Sequence, residues 1–309
     1  MKPILGFKDK LYQITQLTKR NLLIFLKNPT SIFFSLITPV LILVIFIFLF
    51  DDNVLETAIQ LIDIEVSVEE IKVISSGWMV SGIIGISVLT VGLNSMFIQI
   101  KDKEKHTIND YVASPVKLVY VTLSYFMSAF ILTFMICLVF LTIGLVYLSV
   151  STGVIFSFMT ILELLLILLL STLSGIIILM VITSFFKKTS TASSFTGVFS
   201  ALIGFLIGAY LPIGLLPKGL QNMANLIPGS HSTGLFRNVI VNEMIEKLNL
   251  TNIEGLATLK QSFGIDLVLF NQPLTKSIMY GYLGISMIVF FIIYLAIEYV
   301  KTKQKWIKK

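Results

Sequence analysis

Six stretches of the chain consist almost entirely of apolar residues, and each is long enough to cross a bilayer. They cover residues 31–50, 77–99, 118–148, 155–186, 195–216 and 276–300. About 20 consecutive apolar residues are enough for a helix to cross the hydrocarbon core. The third and fourth stretches are longer, which predicts helices that are tilted or that extend past the bilayer. The pattern therefore predicts an all-α integral membrane protein with six transmembrane helices in a single transmembrane domain, residues 1–309.

The polar lead, residues 1–30, predicts a further helix before the first span. Apolar residues such as Leu11 and Ile14 recur near helical spacing, while Lys19 and Arg20 lie elsewhere around the helix. This arrangement is typical of an amphipathic helix on an anionic membrane surface, although a polar lead that only supplies positive charge is the simpler alternative. No small-residue cleavage site precedes the first apolar stretch, which favours a retained span over a signal peptide.

The distribution of Lys and Arg predicts the topology. Most of the 23 basic residues fall in the lead, in the loop 100–117, at 187–188 and in the tail 301–309. Because such residues accumulate on the cytoplasmic side, we predict that both termini are cytoplasmic and that the loop 217–275 is extracellular. The same bias accounts for the net charge of +6. We therefore expect contacts with membrane lipid and no nucleic-acid partner.

The loop 100–117 has the features of a short helix between two spans. Thr107 is placed to cap such a helix, with Asp110 three residues later and Tyr111 on its apolar side. Ser114 and Pro115 would end it. A short amphipathic helix in this position suits docking into the cleft of a partner, but the spacing alone fits a plain charged loop equally well.

The chain from 202 to 237 contains repeated breaks at a membrane edge, which makes it a candidate mouth of a pathway. Such breaks leave unsatisfied backbone groups that must be buried in protein or face water. After them, Ser230 or Ser232 can cap a helix that runs to about Lys247. Two short helices with one apolar side each would dip into the outer leaflet and return, or else lie flat on it. The candidate mouth residues are Tyr210, Pro212, Pro217, Pro228, Gly229 and Arg237.

Candidate chemistry inside the spans is limited to one acid. Glu163 lies about eight residues, or roughly 12 Å, inside the fourth stretch, where an acid serves either in transport or as a neutral packing group. His106 and His231 are the two histidines of the chain, and we predict them on opposite sides of the membrane, which excludes a shared metal site. Cys137 is the one cysteine, so no disulfide forms within a chain. No GxxxxGK[ST] phosphate-binding loop is present, so we expect no ATP hydrolysis and no cofactor in this chain.

Three segments of the chain resemble the membrane subunit of type-2 ABC exporters. The inner loop KEKHTINDYVASPV is similar to that family's charged run, Gly-Thr, short helix and Ser/Thr-Pro. The segment GAYLPIGLLPKGLQNMANLIPGSHSTGLFR is similar to its exit from the fifth span, and RNLLIFLKNPTSIFFSLITPVLIL to its approach to the first. His106 departs from the pattern, because the family usually has Gly there, and this leaves the turn geometry of the loop open.

The resemblance implies that two membrane subunits, identical or different, pair with two separate ATPase subunits that bind ATP and Mg. It implies a coupling helix that docks on the ATPase through Lys105, His106, Thr107, Asp110 and Tyr111. It implies that the lead is a connecting helix, represented by Leu11, Ile14, Lys19 and Arg20. The candidate mouth, Tyr210, Pro212, Pro217, Pro228, Gly229 and Arg237, would then form the outer gate, shaped by the re-entrant helices between spans five and six.

The expected function is the ATP-driven outward movement of an amphipathic drug, toxin or antimicrobial peptide across a bacterial plasma membrane. The excess of Lys over Arg is what suggests a bacterial source. Within the resembled family, export of a lipid-linked glycan or polysaccharide is the alternative. Outside it, the alternative is an intramembrane enzyme or sensor, which would be active without an ATPase.

Overall fold

The computed structural model describes residues 6–49, 68–249 and 256–307 of the chain. The structure is 83% helical, which confirms the predicted all-α class. Among the described residues, strand β1 (Val268–Leu269) pairs antiparallel with strand β2 (Gln272–Pro273) in a small hairpin. The predicted end of the first span at residue 50 and parts of the predicted lead, outer loop and tail lie outside the described residues.

The helices follow one another with short connections. A single 3-10 turn, Ile213–Leu215, lies between α8 and α9 in the described part. The α-helices are α1 (Phe7–Leu26), α2 (Pro29–Leu49), α3 (Val68–Ser95), α4 (Phe97–Glu104), α5 (Thr107–Ala113), α6 (Leu118–Thr152), α7 (Phe158–Ser184), α8 (Thr189–Leu206), α9 (Lys218–Asn225), α10 (Pro228–Lys247), α11 (Leu256–Ser262) and α12 (Lys276–Ile307).

Five helical segments of the described chain have the length and apolar composition needed to cross a membrane. They are Glu70–Glu104, Leu118–Thr152, Phe158–Ser184, Thr189–Leu206 and Lys276–Val300. A sixth is reached when α1 and the first part of α2 are taken together, although that pair is bent by 80°. The chain is therefore a multi-pass helical protein, and its described residues contain five to six such segments, against the six that the apolar stretches predict.

Helix α3 is the most buried of these long helices, and it packs against α2, α6, α7 and α10. Small residues make the close contacts possible. A Cβ atom added at Gly85 would lie 2.1 Å from Thr233 Oγ1 of α10, and one added at Gly144 of α6 would lie 2.5 Å from Val80 Cγ1. Membrane helices associate largely through such close packing. The contact of α3 with α10 thus brings the segment after α8 into the middle of the protein.

Helix α10 corrects two predictions. It begins at Pro228, which suits the first helical position because proline lacks the amide that would be unpaired there, so neither Ser230 nor Ser232 caps it. Ser230 is buried and donates instead to the carbonyl of Ala224 at 2.6 Å. Nearly every residue of α10 is buried, so the predicted helix with one apolar side is also wrong. Its polar residues face other helices because α3, α7 and α12 enclose it.

Candidate functional site

The end of the bundle that carries α5, called here the α5 end, contains a buried carboxylate that accepts three hydrogen bonds from two side chains. Arg20 donates from Nη1 to Asp102 Oδ2 at 2.7 Å and from Nη2 to Asp102 Oδ1 at 3.0 Å. The Tyr125 hydroxyl donates to the same Oδ2 at 2.6 Å. Asp102 is buried, whereas about a third of the Arg20 side chain is exposed. A bidentate pair of this kind fixes orientation as well as distance.

This network joins four helices at the α5 end. Arg20 belongs to α1, Asp102 to the last turn of α4 and Tyr125 to α6. The guanidinium of Arg20 also lies 6.0 Å from the ring centre of Tyr111 in α5. The structure thus brings together one residue of the predicted connecting helix and one of the predicted coupling helix. Arg20 and Tyr111 were candidates from the sequence, but Asp102 and Tyr125 were not.

Helix α5 itself is a surface element with no buried residue. His106 precedes it in the left-handed conformation, with φ 58°, which glycine adopts most readily. His106 therefore adopts the same left-handed turn that a Gly at this position would adopt. Thr107 is the first helical residue and makes no capping bond, so the predicted cap at Thr107 is wrong. Lys105 and Asp110 are exposed on either side of this turn.

Helix α1 packs on α6 through residues other than the predicted connecting-helix residues. Thr18, Asn21 and Phe25 are buried, and Asn21 donates to Ser124 Oγ at 3.4 Å. The predicted connecting-helix residues Leu11 and Lys19 are exposed, and Ile14 is half-buried.

A second contact at the α5 end connects α4 to α8. Oε2 of Glu104 accepts hydrogen bonds from the amide of Thr189 at 3.0 Å and from its hydroxyl at 2.6 Å. An acid at the first turn of a helix satisfies free amides and complements the helix dipole. The loop with α5 is thereby tied to the start of α8, which runs to the opposite end of the bundle.

At that opposite end, called here the α10 end, Arg237 of α10 is fully buried. Its Nη2 donates to the carbonyl of Gly208 at 2.6 Å, and its guanidinium lies 5.5 Å from the ring centre of Trp78 in α3. Gly208 follows α8 with φ 72°, a conformation that favours glycine. No carboxylate among the described residues pairs with Arg237, and burial lowers the pKa of its guanidinium to about 9, which leaves it charged at neutral pH.

Other predicted gate residues surround the same break. Tyr210 donates to the carbonyl of Ser200 at 3.2 Å, and its ring lies against Gly204, where an added Cβ atom would be 2.2 Å away. Pro212 is buried, and Pro217 is exposed just before α9. The structure therefore gathers Tyr210, Pro212 and Arg237 around the end of α8, whereas Pro217 lies at the surface.

The Pro228-Gly229 pair packs against the body of the protein rather than forming an exposed turn. Both residues are buried, and a Cβ atom at Gly229 would lie 2.9 Å from Leu89 Cδ1 of α3. Two residues further on, His231 stacks on Tyr282 of α12 with ring centres 3.9 Å apart. The start of α10 therefore packs against α3 through Gly229 and against α12 through His231.

Glu163 lies in a pocket of about 350 Å³ at the α10 end, formed by the start of α7, the second half of α10 and the start of α12. Its Oε1 accepts from Lys276 Nζ at 3.2 Å and from the Tyr280 hydroxyl at 3.3 Å. Because α7 begins at Phe158, Glu163 is shallower than predicted and is partly exposed. This polar pocket is lined by Ser157, Thr160, Glu163, Asn238, Val239, Asn242, Glu243, Glu246, Lys247 and Lys276.

Glu243 is a residue of this pocket that the sequence did not single out. Its Oε1 accepts from the amide of Ser157 at 2.6 Å and pairs with Lys247 at 2.9 Å. Burial of Glu243 raises the pKa of its carboxyl. The opposite effect is larger in sum, because the carboxylate is stabilised by Thr160, Lys247 and the Ser157 amide, so the pKa is lowered. The only sequence signal was the four-residue spacing of Glu243 and Lys247, which is common on exposed helices.

Comparison with known families gives a match to most of the chain. The family model described as ABC-2 type transporter matches residues 12–241, from α1 to α10. The matched region includes both the Arg20 network at the α5 end and Arg237 at the α10 end. A search among curated proteins finds no match.

Proposed function

The chain belongs to the ABC-2 type transporter family, and from this premise we propose that it is the membrane subunit of an ATP-driven exporter. A family match over residues 12–241 of 309 carries the proposal. Members of this family are permease components of transporters and are not themselves catalytic domains. The chain is a multi-pass membrane protein. The proposal adds four features to this family membership: a separate ATPase, a second permease subunit, a cargo and an outward direction of transport.

The α5 end is the proposed docking surface for a separate ABC ATPase, which would bind ATP and Mg. Helix α5 has no buried residue, and Asn109, Asp110, Val112 and Ala113 are exposed, so this side of the helix is open to a partner. It is nevertheless anchored, because Tyr111 lies beside Arg20 and Arg20 is paired with Asp102. A force applied to α5 can therefore reach α1, α4 and α6 together. With both termini cytoplasmic, this end faces the compartment that supplies ATP.

Helix α8 supports the proposal that a second permease chain, identical or different, completes the transport path. It is among the least buried of the candidate spans. Its exposed face carries polar side chains near the α5 end, including Ser190, Thr191, Ser193 and Ser194. Polar groups facing lipid are costly, so this face fits a protein partner or a water-filled passage better. We place the path along α8, ending at the break around Gly208.

The proposed cargo is an amphipathic drug, toxin or antimicrobial peptide that moves outward across a bacterial plasma membrane. Cargo movement would be coupled to the α5 end through α8. Glu104 holds the start of α8 by two hydrogen bonds, and Arg237 holds the carbonyl of Gly208 at its far end. Closure of the ATPases would shift α4 and α5, and α8 would carry that shift to the gate residues Tyr210 and Pro212.

The test is reconstitution with a co-expressed ABC ATPase. The chain alone should show no nucleotide turnover, and the complex should hydrolyse ATP and export a fluorescent amphipath from proteoliposomes. Reversing both exposed charges, with Lys105→Glu and Asp110→Lys, should reduce ATPase co-purification severalfold. The matched control is Lys218→Glu, an exposed charge at the α10 end. Full co-purification of the double variant would contradict the assignment of α5, and turnover by the chain alone would contradict the proposed function.

A further inference from the structure

The polar pocket at the α10 end contains a carboxylate that is only half satisfied. Oε1 of Glu243 accepts from the Ser157 amide and pairs with Lys247, and the Thr160 hydroxyl lies near the carboxylate, but Oε2 is buried and makes no hydrogen bond within the described structure. Glu243 as a whole is only 8% exposed. A buried acceptor without a partner is costly, particularly on a charged group, and calls for an explanation. Glu243 is also one of the residues that line the polar pocket.

A second acceptor among the lining residues is also unpaired. Oδ1 of the neighbouring residue Asn242 is buried and makes no hydrogen bond. The two unpaired atoms, an amide oxygen and an oxygen of the carboxylate that pairs with Lys247, are hydrogen-bond acceptors. A ligand that satisfies both must therefore bring donors. A protonated amine brings three donors on one small charged group.

The charges of the lining favour the same ligand. Glu163 is paired with Lys276, and Glu243 with Lys247. The third acid of the lining, Glu246, is exposed and belongs to neither ion pair. The lining therefore holds three carboxylates against two ammonium groups and carries a net negative charge.

We propose that the polar pocket binds the ammonium group of an organic cation, through Glu243 Oε2 and Asn242 Oδ1. The volume of about 350 Å³ lies at the lower end of the range of pockets that hold small organic ligands. A metal ion fits less well, because the described residues include no group of three or more His, Cys, Asp or Glu placed to hold one.

The position of the pocket suits a role in export. This role depends on the proposed function, whereas the binding of an ammonium group does not. The pocket lies beside α10, at the end where cargo would leave. An amphipathic cargo that carries an amine would meet Glu243 there before it reaches water. The inference therefore narrows the cargo class from amphipaths in general to cationic amphipaths.

Binding can be measured on the full chain in lipid nanodiscs without an ATPase. The probe is dansylcadaverine, a fluorescent primary amine, compared with its N-acetylated form, which is uncharged. Dansylcadaverine should bind at least about tenfold more tightly than the acetylated form, as expected for hydrogen bonds to a charged group. Equal affinity of the two probes would overturn the proposal.

Two variants test whether the ammonium group binds at Glu243 and Asn242. Glu243→Gln should weaken amine binding about tenfold, and Asn242→Asp should strengthen it by a similar factor because it adds a negative charge at the unpaired acceptor. Asp9→Asn, at an exposed position of α1, is the control and should leave binding unchanged. If Glu243→Gln does not fold, Asn242→Asp decides alone, because an unchanged or weaker affinity would overturn the assignment.

Transport separates this inference from the proposed function. In proteoliposomes with the ATPase, Glu243→Gln should slow export of dansylcadaverine severalfold and leave export of the acetylated form unchanged. Equal slowing of both probes would refute the role in export. Loss of amine binding with intact ATPase pairing refutes this inference alone, whereas intact amine binding without ATPase pairing refutes the proposed function alone.

Discussion

Two arginines hold opposite ends of this protein in different ways. Arg20 at the α5 end is partly exposed and forms a bidentate pair with the buried carboxylate of Asp102. Arg237 at the α10 end is fully buried and has a backbone carbonyl and an indole ring as neighbours. The α5 end is therefore stabilised mainly by an ion pair, and the α10 end mainly by close packing around a buried side chain. We expect the first to respond to changes of charge and the second to changes of volume.

The largest effect should come from added volume between α3 and α10. In Gly85→Val the Cβ atom alone would lie 2.1 Å from Thr233 Oγ1, so the two helices must separate. Overpacking of this kind costs about 3 kcal/mol or more. We expect a large loss of folded protein, measured by thermal unfolding and by size-exclusion chromatography in detergent.

Gly197→Val on α8 is the matched control for this variant. No atom lies within 4 Å of a Cβ added there, and Gly197 is exposed. Its folded yield should equal that of the unaltered chain. Similar losses for Gly85→Val and Gly197→Val would show that the α3–α10 contact is not closely packed.

A smaller effect is expected from Arg20→Met, which leaves the Asp102 carboxylate buried without its cation. The cost should be about 2 kcal/mol, below the range for fully buried pairs because Arg20 is partly exposed. Adding Asp102→Asn should recover most of the loss, because the amide can still accept from Tyr125 without a charge. The measurement is the unfolding temperature of the single and double variants, together with ATPase co-purification. A double variant no more stable than Arg20→Met would contradict the charge argument.

The corresponding change at the α10 end should cost less. Arg237→Met keeps most of the side-chain volume and removes a buried charge that has no carboxylate partner among the described residues, so the lost bond to Gly208 is partly offset. We expect a change of about 1 kcal/mol in the free energy of unfolding. Arg237→Ala, which leaves a cavity, should cost about 3 kcal/mol. Equal costs for the two variants would show that charge, not volume, stabilises this end.

The difference between the ends also explains what the sequence could predict. Long apolar runs predicted the helices α6, α7 and α12, because a membrane span is a local property of the chain. The same reasoning failed for α10, where the spacing of polar and apolar residues predicted a helix with only one apolar side in the outer leaflet, but nearly every residue is buried. Burial there depends on α3 fitting against α10 at Gly85, and no pattern within α10 reports that contact.

The candidate site shows the same limit. Arg20 and Tyr111 were found because charged and amphipathic helices near a membrane have recognisable patterns. Asp102 was not found, because its partner Arg20 is 82 residues away and the mixed charges around it are typical of exposed loops. Single-sequence reasoning locates the elements, and the partners of their side chains come only from the packed structure.

The smallest effect should come from Glu163→Gln. Glu163 pairs with Lys276 with about a third of its side chain exposed, and exposed pairs contribute less than about 1 kcal/mol. The substituted amide would be neutral, but its carbonyl oxygen can still accept from Lys276 and Tyr280, as the carboxylate of Glu163 does. We therefore expect unchanged folding and nearly unchanged export of an uncharged amphipath. Thermal unfolding and the proteoliposome assay measure these two quantities, and complete loss of export with intact folding would assign Glu163 a charged role in transport.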